Sequence, residues 1–133
     1  MCRRPLACRG LVPPALKSFR PRLLQIAAIR DHRRAASARA RAGSALEGTP
    51  AGALLDRVEV SALAAMGKRD GLIERIDRAL PAARAAGTYF DLVVLLVLRS
   101  SLNEGVRPEL IEERDKLLDQ LGIVAVRVLV QVP

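Results

Sequence analysis

The chain holds few of the groups that most often carry chemistry: three aromatic residues (Phe19, Tyr89 and Phe90), two cysteines (Cys2 and Cys8) and one histidine (His32) among 133 residues. Each scarcity excludes something. A structural zinc site takes four Cys or His ligands and a catalytic one usually three protein ligands, so these residues alone do not assemble a zinc site. A disulfide between Cys2 and Cys8 has no secretory context behind it, and both read as free thiols. His32 sits among arginines in RDHRR, far in sequence from any candidate nucleophile, which argues against histidine catalysis. Proteins that hold single-stranded nucleic acid stack its bases on aromatic platforms. The basic part of this chain carries only Phe19, so its charge supports a loose attraction to phosphate and no base-specific recognition. No apolar run approaches the roughly 20 residues that span a bilayer.

The familiar phosphate-binding signatures are missing too. There is no G-x-x-x-x-G-K-[ST] and no G-x-G-x-x-G, hence no P-loop and no Rossmann fingerprint. There is no G-x-S-x-G elbow for a serine nucleophile. No cofactor and no metal is expected.

Acids are nearly absent from the first fifty positions, where Asp31 and Glu47 stand against 11 Lys or Arg, whereas residues 51–133 hold 11 Lys or Arg and 12 acids. The net charge of +8 therefore belongs to the N-terminal part, and the remainder is a nearly neutral body. Residues 1–48 read as a flexible basic extension rich in Arg, Ala and Pro. Within it, Pro21 suits a first helical position, and a helix is expected to run from there to Gly43. Three roles fit this extension: an organellar presequence over residues 1–43, a basic arm that touches nucleic acid or anionic lipid, and a disordered extension without a role. A cytoplasmic protein is expected, or one of an organellar matrix if residues 1–43 are a presequence.

From Thr49 the pattern is that of a folded domain, expected over 49–133. Thr49 as a cap, Pro50 at the first helical position and Gly67 as a stop predict a helix over 50–66. Leu72, Ile73, Ile76 and Leu80 predict a second over 70–86, and Pro108 with Glu109, Glu112 and Glu113 in the first turns a third over 108–121. Between them, YFDLVVLLVL reads as a strand over 89–98 buried on both faces, since it lacks polar alternation. IVAVRVLVQV alternates and reads as an edge strand over 123–132. Strand, helix and strand make a βαβ unit, so the expected fold is a small α/β domain. Two strands are few for a complete open sheet, which points to sheet completion by pairing with another chain through the C-terminal edge strand, as a homo-oligomer or with a protein partner.

In α/β sheets, ligands gather beyond the carboxyl ends of the strands. Residues 99–106, RSSLNEGV, would lie there. Arg99 suits a phosphate or carboxylate, and Ser100, Ser101 and Asn103 supply hydrogen bonds, which makes these four the candidate ligand-binding residues. The same residue types also cap and turn loops. No nucleophile, base and orienter occur together, so no catalytic residue is assigned.

Residues 62–99, ALAAMGKRDGLIERIDRALPAARAAGTYFDLVVLLVLR, resemble the opening of GGDEF domains, the diguanylate cyclase family. Leu63, Met66 and Arg69 match its opening pattern, Gly87 falls at the expected distance, and a hydrophobic run follows. The metal-binding aspartate that ends this strand in active members falls on Leu96, Val97 and Leu98, and the G-G-D-E-F signature is absent. The resemblance thus implies a degenerate relative without cyclase activity. The same texture is similar to isochorismatase-type hydrolases, whose nucleophilic cysteine has no counterpart here, and to the later strands of small GTPases, whose N-K-x-D motif is missing. The function expected is a non-catalytic interaction or regulatory module. The alternative is an enzyme domain that binds a nucleotide or other phosphate-bearing ligand at the loop after residues 89–98.

Overall fold

A computed structural model describes residues 14–102, 104–126 and 128, with side chains from residue 23 onward. Five α-helices follow one another: α1 (Pro14–Ala42), α2 (Pro50–Ala65), α3 (Leu72–Ala86), α4 (Tyr89–Ser101) and α5 (Pro108–Gln120), with one 3-10 turn, Gly43–Leu46, between the first two. Each helix packs against the next, and α2 also packs against α4. The centre is therefore a three-helix unit of α2, α3 and α4, with α1 laid against α2 and α5 against α4.

Local chemistry sets the boundaries. The Thr49 hydroxyl accepts from the Gly52 N–H at 3.1 Å and donates to the Leu46 carbonyl at 2.7 Å. Pro50 follows at the first helical position, where its missing N–H leaves no helical bond unmade. Gly87 ends α3 in the left-handed region, at φ 69°, a conformation open to glycine at little cost. That sharp turn lets α4 start two residues later and run back along α3. Pro81 lies inside α3 without ending it.

The core is built mainly by α3 and α4. Leu72, Ile76, Leu80 and Ala83 of α3 meet Leu92, Val93, Leu95, Leu96 and Leu98 of α4, while α2 adds Ala53, Val60 and Ala64 and α5 adds Leu110 and Leu117. The helix α1 stands apart from this cluster. Its buried residues among those with described side chains are Ala28 and Ala35, small enough to let it lie close to α2. Ion pairs hold it there: Arg39 reaches Asp56 at 2.5 Å and Glu59 at 3.4 Å, and Glu59 also binds Arg75 of α3. One carboxylate on α2 thus links the helices on either side of it.

The expected α/β fold is overturned, because no strand occurs among the described residues. Residues 89–98 belong to α4. A continuous apolar run does not distinguish a buried strand from a helix buried on nearly every side, and α4 is the second kind, with α2, α3 and α5 around it. The expected strand over 123–132 fails in turn. Residues 123–126 and 128 have no regular structure, since no neighbouring strand is left to form a ladder with them; residues 127 and 129–132 lie outside the described residues. The edge strand expected to recruit a partner is therefore lost along with the sheet. Val126 and Val128 instead pack against the helical core.

The hydrophobic run after Gly87 is thus the helix α4. The part of the basic extension from Pro14 to Ala42 is helix α1, resting on α2. Among the described residues, no helix is long and apolar enough to cross a membrane.

Candidate binding groove between α1, α2 and α4

The residues expected to bind a ligand are placed at the end of α4, where the fold itself engages them. Arg99 is 5% exposed. Its guanidinium donates to Asp77 Oδ1 at 3.0 Å, to the Glu104 carbonyl at 2.6 Å and to the Gly105 carbonyl at 3.3 Å. It thereby ties the last turn of α4 to α3 and to the loop ahead of α5. Ser100 and Ser101 are the last residues of the helix, and their hydroxyls donate back to the carbonyls of Leu96 and Val97, each at 2.8 Å. This four-residue back-bonding is common for serine on a helix. Asn103 lies outside the described residues. The structure brings Arg99, Ser100 and Ser101 together in sequence and height, with their donors turned to protein acceptors.

The acids of α5 are also accounted for in part. Glu113 forms a two-pronged pair with Arg84, Nε to Oε1 at 2.7 Å and Nη2 to Oε2 at 2.6 Å. This hydrogen bonding holds the Glu113 carboxyl below its ordinary range and raises Arg84, with partial burial opposing both shifts. Asp115 accepts from Arg114 at 2.8 Å. Among the described residues no group of three His, Cys, Asp or Glu side chains is arranged to hold a metal ion. Cys2 and Cys8 lie outside the described residues, and the Nδ1 of His32 on α1 has no hydrogen-bond partner among the described ones.

The feature that remains open is a groove of about 610 Å³ on the face of α2 and α4 between α1 and the C-terminal segment. Val58, Ser61, Ala62 and Ala65 of α2 line it, with Leu24, Ala27 and Ala28 from α1 and Phe90, Val94 and Leu98 from α4. Small residues in the last turns of α2 leave the space, and Leu24 of α1 with Phe90, Val94 and Leu98 of α4 form its walls. Ile123, Ala125, Val126 and Val128 border it along one side.

Two charged residues mark the groove. Arg57 donates through Nε to Asp91 Oδ1 at 2.5 Å, and its Cζ lies 5.5 Å from the centre of the Phe90 ring. Asp91 is buried and sits in the first turn of α4, where a negative charge also suits the helix dipole. Cation–π contact with Phe90 adds about 0.5–1 kcal/mol at a site of this exposure. Asp31 of α1 is the acid in the groove's lining. Sequence reasoning does not single out Arg57. A signal was nonetheless present for its partner: Asp91 is the one charge between Arg84 and Arg99, and a charge set in such an apolar stretch is rarely buried without a partner.

With this geometry in view, comparison of the chain with protein-family models, with curated proteins and with solved structures finds no match.

Proposed function

We propose that the chain is a non-catalytic, all-helical interaction module whose groove between α1, α2 and α4 receives an extended, apolar segment of a partner protein. One observation supports this above all: Val126 and Val128, in a stretch of chain with no regular structure, already pack against the core from the edge of the groove. The surface therefore already takes two valines from a stretch of chain outside the helices. No backbone hydrogen bond joins Val124, Ala125 or Val126 to another described residue, and the partner segment is proposed to pair with this backbone while its side chains meet the apolar walls. Recognition of extended peptides commonly combines these two features.

The test is fluorescence anisotropy with the full chain and a labelled peptide patterned on residues 123–130, IVAVRVLV. Saturable binding is expected, and Ser61→Trp, which fills the groove from its floor, is expected to abolish it while circular dichroism stays unchanged. No binding, or binding indifferent to Ser61→Trp, overturns the proposal.

The rival, a phosphate-bearing ligand at Arg99, Ser100 and Ser101, has less support because the donors of all three already have acceptors within the protein. A thermal-shift panel of nucleotides and sugar phosphates distinguishes the two. A true ligand at 100 times its dissociation constant stabilises the fold by about 2.7 kcal/mol, and the shift would vanish in Ser100→Ala/Ser101→Ala. The compartment proposed is the cytoplasm.

A further inference from the structure

We propose that copies of this chain associate head to tail, the outward face of α1 on one copy docking on the outward face of α5 of the next. The two helices are the ends of the stack: among the described elements, α5 packs only against α4, and α1 only against α2 and the turn that joins them. Each therefore has a face that no other described element covers.

Those two faces are complementary. Opposite Ala28 and Ala35 of α1, helical spacing aligns Leu23, Ile26 and Ile29 with Arg30, Arg33 and Arg34, all of them exposed. Opposite Leu110 and Leu117 of α5, it aligns Ile111 with Glu112, Asp115 and Asp119, with Lys116 at the far border of the same face, all exposed, so that the face is acidic on balance. The three arginines, Glu112 and Asp119 have no ion-pair partner among the described residues, and Arg114 engages only one oxygen of Asp115. Large apolar side chains beside unpaired charges of one sign, matched at the other end of the same molecule by the opposite sign, favour contact between unlike ends over contact between like ends. A second copy is favoured over an anionic membrane or nucleic acid because those would use α1 alone and leave the acidic face of α5 without a counterpart. Since the contact joins different surfaces, it leaves one free end on each side, and assembly proceeds to a ring or an open filament.

Light scattering with size exclusion tests this on the full chain. The mass of the wild type is expected to rise past that of a dimer with concentration at low salt, and to return toward the monomer at about 1 M salt, where charges are screened beyond about 3 Å. Arg30→Glu/Arg33→Glu/Arg34→Glu and Glu112→Lys/Asp115→Lys/Asp119→Lys should each be monomeric alone, because both ends then carry one sign. Mixed together they should assemble again, which unfolding of either variant cannot mimic. Should one triple variant fail to fold, Arg33→Glu mixed with Asp115→Lys repeats the experiment with milder changes. A wild type that is monomeric at every concentration overturns the proposal, and so does assembly indifferent to both triple variants. Binding of a monomeric wild type to anionic vesicles or duplex DNA, lost in the α1 variant, also overturns it and assigns the basic face to that surface.

Discussion

Replacing Arg99 with alanine is expected to destabilise the fold by about 2–4 kcal/mol, from effects of hydrogen bonding and burial that can be separated. The bond to Asp77 contributes least: that carboxylate is 44% exposed, and an ion pair so well solvated is worth about 0–1 kcal/mol. The bonds to the Glu104 and Gly105 carbonyls are charge-assisted, a class worth about 1.5–3 kcal/mol when well formed. Only the first is short, at 2.6 Å against 3.3 Å, and both acceptors lie on exposed residues where water can replace the donor, so the pair is placed at the lower end. Truncation also removes buried methylenes, at about 0.8 kcal/mol each. Relief of the buried guanidinium's desolvation offsets part of the total. Arg99→Met keeps the apolar stem and should lose about 1–3 kcal/mol, which isolates the head group. Urea denaturation is the assay, with a lower midpoint and an unchanged slope expected. Hydrogen exchange should also show faster amides over residues 104–106 in both variants. If Arg99→Met has the midpoint of the wild type and exchange over 104–106 is unaltered, Arg99 does not hold this loop, and its guanidinium is free for another role.

Arg57→Ala leaves the buried Asp91 without its cation, for which about 3 kcal/mol of destabilisation is expected in a urea melt, whereas Arg57→Ala/Asp91→Asn should recover part of it. The Glu113 carboxyl, held below its ordinary range by Arg84, supports the fold fully above the pKa it has in the unfolded chain, about 4.3. That support is lost as pH falls through the lower, folded value. Glu113→Gln should therefore flatten the acid limb of stability against pH and leave its shape near neutrality alone. Gly52→Ala places a Cβ 2.1 Å from the Leu46 carbonyl oxygen, a clash with backbone that forces the turn ahead of α2 to move, at a cost of about 1–3 kcal/mol. Thermal melts should show it less stable than Gly43→Ala, where the new methyl meets nothing within 4 Å and only the left-handed backbone, φ +57°, resists.

The helices α2, α3 and α5 could be read from the chain because their ends are chemically marked: Thr49 and Pro50, Gly87, Pro108 and Glu109. The helix α4 could not be read from its apolar pattern, which lacks any polar face to reveal a period. Its ends held the missing information. Thr88 and Asp91 have the spacing of a helix start, and Arg99 falls in the last turn, where a cation suits the dipole. Once residues 89–101 are helical, Ser100 and Ser101 have carbonyls four residues behind them, and Arg99 is the end of a buried helix rather than the lip of a sheet. The groove was not legible at all. It depends on Ser61, Ala62 and Ala65 facing Leu24 of α1 and Val94 of α4, a relation between distant segments that no local spacing encodes.

The position of α1 bears on how the basic N-terminal segment is understood. Removal of residues 1–43 by an import protease would take Ala28 and Ala35 from their places on α2, together with Arg39, the cation that serves Asp56 and shares Glu59 with Arg75. Asp56 would lose its partner, and the groove would lose the wall formed by Leu24, Ala27 and Ala28. It would also remove Arg30, Arg33 and Arg34, the exposed basic face of α1. A chain beginning at residue 44 is therefore expected to melt earlier than the full chain and to have lost affinity for the IVAVRVLV peptide. An equal melting temperature and equal peptide affinity in the two would show that α1 is dispensable to the fold and to the groove, and would return residues 14–42 to the role of an extension.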